Sequence, residues 1–249
     1  MHPVARTAAA ALCTVAVLGL TACGPFPDDT GSQAPFAGLT APEVTNKAIA
    51  ATRAATSVRL AVTTESADGP VQVFVTAGAL GACTGTFSTG SAGTMELIRA
   101  DGTVYTKSDE AMLRAMAADR PGGDTEADIE KLTGRWVTAR PDDRRTAENL
   151  RYCDPRSLLD RLAARSGTAH KGSQASVGGR PSLTLTGGSD ASGASGASDG
   201  PDGESWTASV ATEGKPYLLK MRLTGRERAP LTVEFSEFGT PVPVKKPTV

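Results

Sequence analysis

Aromatic side chains make up only 4% of the 249 residues, and histidine occurs twice, at His2 and His170. These two shortages exclude more function classes than any motif suggests. His2 falls in an apolar leader, so a Ser-His-Asp or Cys-His centre would have to use His170 alone. That residue sits beside Lys171-Gly172-Ser173 in a loop-like stretch and reads as an inert surface histidine. A His-rich zinc site is impossible, and no Cys-x-x-Cys knuckle occurs. Neither Gly-x-Gly-x-x-Gly at a strand-to-helix junction nor a Gly-Lys-Ser/Thr phosphate loop is present. The acidic pairs Asp28-Asp29 and Asp142-Asp143 lack the aromatic surroundings of a sugar cleft, and read as solvated charge. Arg144-Arg145 and Lys245-Lys246 read the same way. A formal net charge of -1 gives no electrostatic case for nucleic acid. The chain reads as a non-enzyme with no cofactor and no metal.

What the chain does have begins at its start. His2 and Arg6 precede an apolar run from Ala8 to Leu20, about 13 residues where a span needs roughly 20. The run ends in Leu20-Thr21-Ala22-Cys23-Gly24, which resembles the lipobox of bacterial lipoproteins. The resemblance implies cleavage after residue 22 and a diacylglyceryl (palmitate-type) anchor on Cys23. It implies attachment to the outer face of the cytoplasmic membrane. An ordinary secretory peptide with a chance cysteine is the alternative. Abundant Ala, Gly, Thr and Arg suggest a GC-rich, actinobacterial source.

Export takes Cys13 away with the leader and leaves Cys83 and Cys153 in an oxidising compartment, where an isolated pair is expected to join. The loop closed would be about 71 residues, for which the chain-entropy model gives roughly 4 kcal/mol. Two unrelated buried thiols are the other reading.

Residues 23–38 are rich in Pro, Asp, Gly and Ser and read as a flexible tether. Thr40-Ala41-Pro42-Glu43 carries a capping-box pattern and opens a helix to about Thr56. Period-two alternation then marks strands at residues 58–63, 71–76, 95–99 and 103–106, with Asp101-Gly102 as a hairpin turn. Gly78, Gly81 and Gly85 around Cys83 predict a bulged or sharply turned strand between them. Short helices are expected at 109–118, at 124–132 and from Pro155, with Asp154 as its cap, and a brief strand is expected at Gly134-Arg135-Trp136-Val137. Strands return after Gly178-Gly179, at 182–186, 206–210, 217–223 and 231–235. The Gly/Ser/Asp run at about 187–204 reads as a disordered loop inside one domain spanning 39–244, with 245–249 as a tail. A linker between two domains is the alternative, but the strands after it are too few to stand alone.

This layout resembles the LolA-like and LppX-LprG lipoprotein superfamily over roughly Leu39 to Val244. The pieces that carry it are Thr40-Ala41-Pro42-Glu43, Ser57-Val58-Arg59-Leu60, the hairpin Leu97 to Lys107, and Gly134-Arg135-Trp136-Val137. Lys215-Pro216-Tyr217-Leu218-Leu219 and Phe235-Ser236-Glu237-Phe238-Gly239 complete the pattern. The cysteine pair and the Gly/Ser loop depart from it. The resemblance implies an α+β fold, a curved antiparallel half-barrel sheet around a few helices. It also implies an apolar cavity for a lipid or other hydrophobic molecule between sheet and helices. The candidate lining residues are Leu60, Val62, Val73, Val75, Leu97, Val233 and Phe235. The competing expectation is a surface-anchored protein-interaction or sensory module with a solid core.

Overall fold

The computed structural model describes residues 35–118, 125–188, 205–225, 229–242 and 244–249. The apolar leader, Cys23 and nearly all of the Gly/Ser run lie outside the described residues. Residues 35–249 form one compact unit. Among the described residues its frame is one antiparallel sheet of eleven strands.

The first six strands form a meander: β1 (Ser57–Ser66), β2 (Gly69–Gly78), β3 (Cys83–Thr89), β4 (Thr94–Ala100), β5 (Thr103–Ser108) and β6 (Val137–Ala139). The last five form another: β7 (His170–Val177), β8 (Arg180–Gly187), β9 (Ser205–Ala211), β10 (Leu218–Thr224) and β11 (Leu231–Ser236). The order is β6-β5-β4-β3-β2-β1-β11-β10-β9-β8-β7, so the meanders are joined where β1 pairs with β11. The sheet stays open, with β6 and β7 as its edges. Strands β8 and β9 are antiparallel neighbours, with Gly187 opposite Trp206, so the Gly/Ser run connects adjacent strands of one sheet.

Alternation along the strands becomes two apolar rows across the buried face. One row runs Phe235, Leu60, Val75, Gly85, Leu97. The next runs Met221, Val233, Val62, Val73, Phe87, Met95. Strand twist curves such a one-sided sheet around whatever covers its dry face. Gly85 has a packing role: a Cβ there would stand 2.6 Å from Val75 Cγ2. Strand β3 therefore keeps a continuous register with both neighbours, and the bulge expected from its glycines is not there. The sharp turn lies before it, where Gly78 N donates to Ala82 O at 2.8 Å.

Among the described residues, five helices accompany the sheet. In α1 (Ala41–Arg53) Thr40 caps the first turn, and Glu43 reaches back to accept from Thr40 N at 2.6 Å. Val44, Ala48 and Ile49 are its buried face. Leu218 N donates to Thr52 Oγ1 at 3.0 Å, fixing the end of α1 against β10. The helix stops three residues short of the expected Thr56. Helices α2 (Glu110–Ala118) and α3 (Glu126–Leu132) follow β5 and are tied by Arg114, which pairs with Glu110 and Glu126. Helices α4 (Arg144–Leu150) and α5 (Arg156–Ala163) lie in the connection from the β6 edge to the opposite β7 edge. Leu158, Leu159 and Leu162 of α5 belong to the main core with α1.

Several expectations need correction. The supposed tether ends in a turn at 35–38, where Phe36 packs on the core and its carbonyl accepts from Lys171 Nζ at 2.8 Å. Trp136 precedes β6, which begins at Val137. Asp142, Asp143 and Arg144 are exposed, as solvated charge should be, but the stretch opens a helix the sequence reading missed: Asp143 caps α4, accepting from the amides of Arg145 and Thr146 at 3.1 and 3.2 Å. The N-cap position of α5 belongs to Pro155, while Asp154 Oδ1 accepts from Arg156 N at 3.1 Å. His170 opens the edge strand β7 and is no loop residue.

Candidate functional site

A cleft of about 710 Å³ opens between the sheet and the segment that carries α2, α4 and the turn after α4. Its floor comes from the second apolar row, which supplies Val73, Phe87 and Met95, with Val71 beside them. Met112 and Met116, four residues apart on α2, form one wall. Unbranched thioether side chains of this kind adapt their shape to irregular apolar surface. Asp109 fixes that wall: its carboxylate accepts from Thr94 N and Met112 N, both at 2.8 Å. Gly93 leaves room for it, since a Cβ there would stand 2.3 Å from Asp109 Oδ1.

The opposite wall is α4 with the 3₁₀ turn Arg151–Cys153. Tyr152 closes over the floor, its ring centroid 6.1 Å from that of Phe87. The rim is charged and wet. Arg144 pairs with Glu148 at 3.2 Å, and the Arg151 guanidinium lies 5.2 Å from the Tyr152 ring centroid. The Arg144–Glu148 pair is exposed and contributes little to stability. Cys83 and Cys153 form a disulfide with Cα atoms 5.6 Å apart, tying the Tyr152 wall to the start of β3. The bond expected between these cysteines is therefore present, and it holds the wall of the cleft.

All seven nominated lining residues are buried, at 0–3% exposure. Only Val73 reaches the cleft; Leu60, Val62, Val75, Leu97, Val233 and Phe235 are in the packed core and line neither described pocket. Sequence reasoning missed Phe87, Met112, Met116 and Tyr152. A signal for the last wall existed in Asp143 followed by Arg144 and Glu148 at helical spacing, a cap and an i,i+4 pair. Among the described residues no cluster of three or more His, Cys, Asp or Glu could hold a metal, and no helix is long and apolar enough to cross a membrane. His170 is exposed.

No protein-family model and no curated sequence matches the chain. Solved structures do. The chain is similar to LprF from Mycobacterium bovis, at 17% identity and a TM-score of 0.55, over 84% of this chain and 97% of that one. It is also similar to the lipoprotein LppX from Mycobacterium tuberculosis, at 15% identity and a TM-score of 0.50, over 82% and 97%. The fold is that of LprF and LppX. The open antiparallel sheet with helices on its buried face thus agrees with the resemblance read from the capped helix, the hairpin and the late strands.

Proposed function

We propose that this protein is a cell-envelope lipoprotein, held by lipid on Cys23 outside the cytoplasmic membrane, that binds a lipid or other hydrophobic molecule in the cleft. The observation that carries the reading is an apolar floor and methionine wall around about 710 Å³ of open space. That volume is within the roughly 300–1,000 Å³ of ordinary ligand sites. A polar rim over an apolar floor suits an amphiphile, with its chain inside and its head at the arginines. Likeness to LppX, a lipoprotein, supports an envelope setting for the same fold.

The test is extraction of residues 35–249 for mass spectrometry, with titration of a fluorescent fatty acid. The expected result is saturable uptake, reduced about tenfold or more by Met112→Trp, which puts an indole into the cleft. No extracted lipid together with no saturable uptake would overturn the reading. The alternative, an anchored interaction module with a solid core, is favoured by the packing of all seven nominated residues in the core, six of which line neither described pocket. It predicts crosslinking to one envelope protein and indifference to Met112→Trp. For the anchor, Cys23→Ala should abolish metabolic labelling with palmitate and release the protein from the membrane fraction. Unchanged retention would remove it.

A further inference from the structure

A second pocket, of about 170 Å³, lies at the opposite end of β2 from the cleft. It is lined by Ala77 and Gly78, four and five residues on from the cleft's Val73, or about 13 to 17 Å along the strand. Three arginines contribute to its lining: Arg53 from the end of α1, Arg99 from β4, and Arg156 from the start of α5. Arg53 pairs with Asp160, and Arg156 Nε is 3.9 Å from Asp154. Arg99 has no hydrogen-bond or ion-pair partner among the described residues, although it is half-buried. Its guanidinium carbon lies 4.0 Å from the place a Cβ on Gly81 would occupy. Asp154 is the one carboxylate in the lining, so the wall carries an excess of positive charge. A partly desolvated guanidinium has five donors in a planar fork and is stabilised by an oxyanion that accepts from them.

The rim of this pocket is the β2–β3 turn, and Leu80 at its tip is fully exposed, at 101%. A lone exposed leucine is ordinary on a protein surface. Here it projects beside an arginine-walled pocket, and the two together discriminate between sources of anion. A free phosphate would satisfy Arg99 and leave Leu80 in water. A bilayer would accommodate both, with its phosphates meeting the arginines and its apolar boundary receiving the leucine.

We propose that the Arg53–Arg99–Arg156 pocket holds the phosphate group of an anionic phospholipid, with Leu80 entering the membrane surface beside it. This docking site is separate from the cleft and does not depend on what the cleft binds. The test uses residues 35–249, which carry the whole sheet, its helices and the disulfide as one compact unit. Sedimentation with phosphatidylcholine vesicles, with or without phosphatidylglycerol, should show binding only when the anionic lipid is present. Arg99→Gln should weaken that binding about fivefold, the usual contribution of one basic residue near an anionic surface. Arg99→Lys should recover part of the loss. Leu80→Ser should weaken vesicle binding while leaving unchanged the amide shifts that inorganic phosphate induces around Gly81. Equal vesicle binding by the wild type and Arg99→Gln would overturn the proposal. Phosphate-induced shifts with no vesicle binding would also overturn it, because the site would then serve a free anion. Should Arg99→Gln fail to fold, Arg156→Gln, at an exposed side chain, makes the same comparison.

Discussion

The two halves of the sheet's buried face are covered by helices of very different composition, and the cleft follows from that difference. Over one half, α5 buries Leu158, Leu159 and Leu162 within eight residues, and α1 adds Val44, Ala48 and Ile49. Over the other, α2 buries only Leu113 and α4 only Thr146. The floor beneath is apolar in both halves, since the row through Val233, Val62, Val73 and Phe87 runs unbroken across them. The open space therefore comes from the cover. Each fully buried leucine contributes about 1.5–3 kcal/mol, and α4 has no such residue to hold it down. A disulfide directly after α4 does that work, tying its end to β3.

The largest effect should come from cutting that tie. Cys83→Ala with Cys153→Ala is expected to lower stability by about 4 kcal/mol in denaturant unfolding. Amides of α4 should then lose exchange protection before those of α5; parallel loss in both helices would erase the contrast between the halves. Next, Leu159→Ala in the dry half should cost about 3 kcal/mol, because Leu159 is fully buried and its loss leaves a cavity. Met112→Ala, half-buried at the edge of a space already open, should cost about 1 kcal/mol or less by the same measurement. Equal losses would mean the cleft is as tightly packed as the core. Between these two, Gly85→Ala should cost about 1–2 kcal/mol by pushing Val75 out of its row.

Thr40→Ala should cost about 1 kcal/mol by uncapping α1, which covers the dry half. Hydrogen bonds from the Thr40 amide and hydroxyl hold the Glu43 carboxyl below the usual carboxylate range. A depressed folded-state value means that Glu43 stabilises the native state at neutral pH, and that this contribution fades as pH falls through the depressed value. The Tm difference between wild type and Glu43→Gln should therefore shrink on acidification. A difference that stays constant would remove the carboxylate from the cap.

Local chemistry was legible wherever a pattern repeats within a few residues. Period-two alternation located β1, β2, β4, β5 and β8 to β11, and the Thr40/Glu43 box located α1, because each signal is complete within one element. Strand β7 escaped because it is exposed along nearly its whole length as a sheet edge and carries no apolar alternation. Helix α4 escaped because it has no apolar stripe, and its position is set by a bond formed elsewhere. The lining of the cleft was not legible for a related reason. Alternation says which face of a strand is dry, but it does not say whether a helix or open space lies above that face.

The sequence by itself determined the one-sided sheet and the capped helix α1, because spacing along the chain is enough to write them. Tertiary structure alone decided that Phe87, Met112, Met116 and Tyr152 surround a cleft while Leu60, Val75 and Phe235 lie in packed core. The physical reason is that a cavity is a property of what covers a surface. Here the cover comes from residues 17 to 81 positions away along the chain, and only folding brings them over the floor.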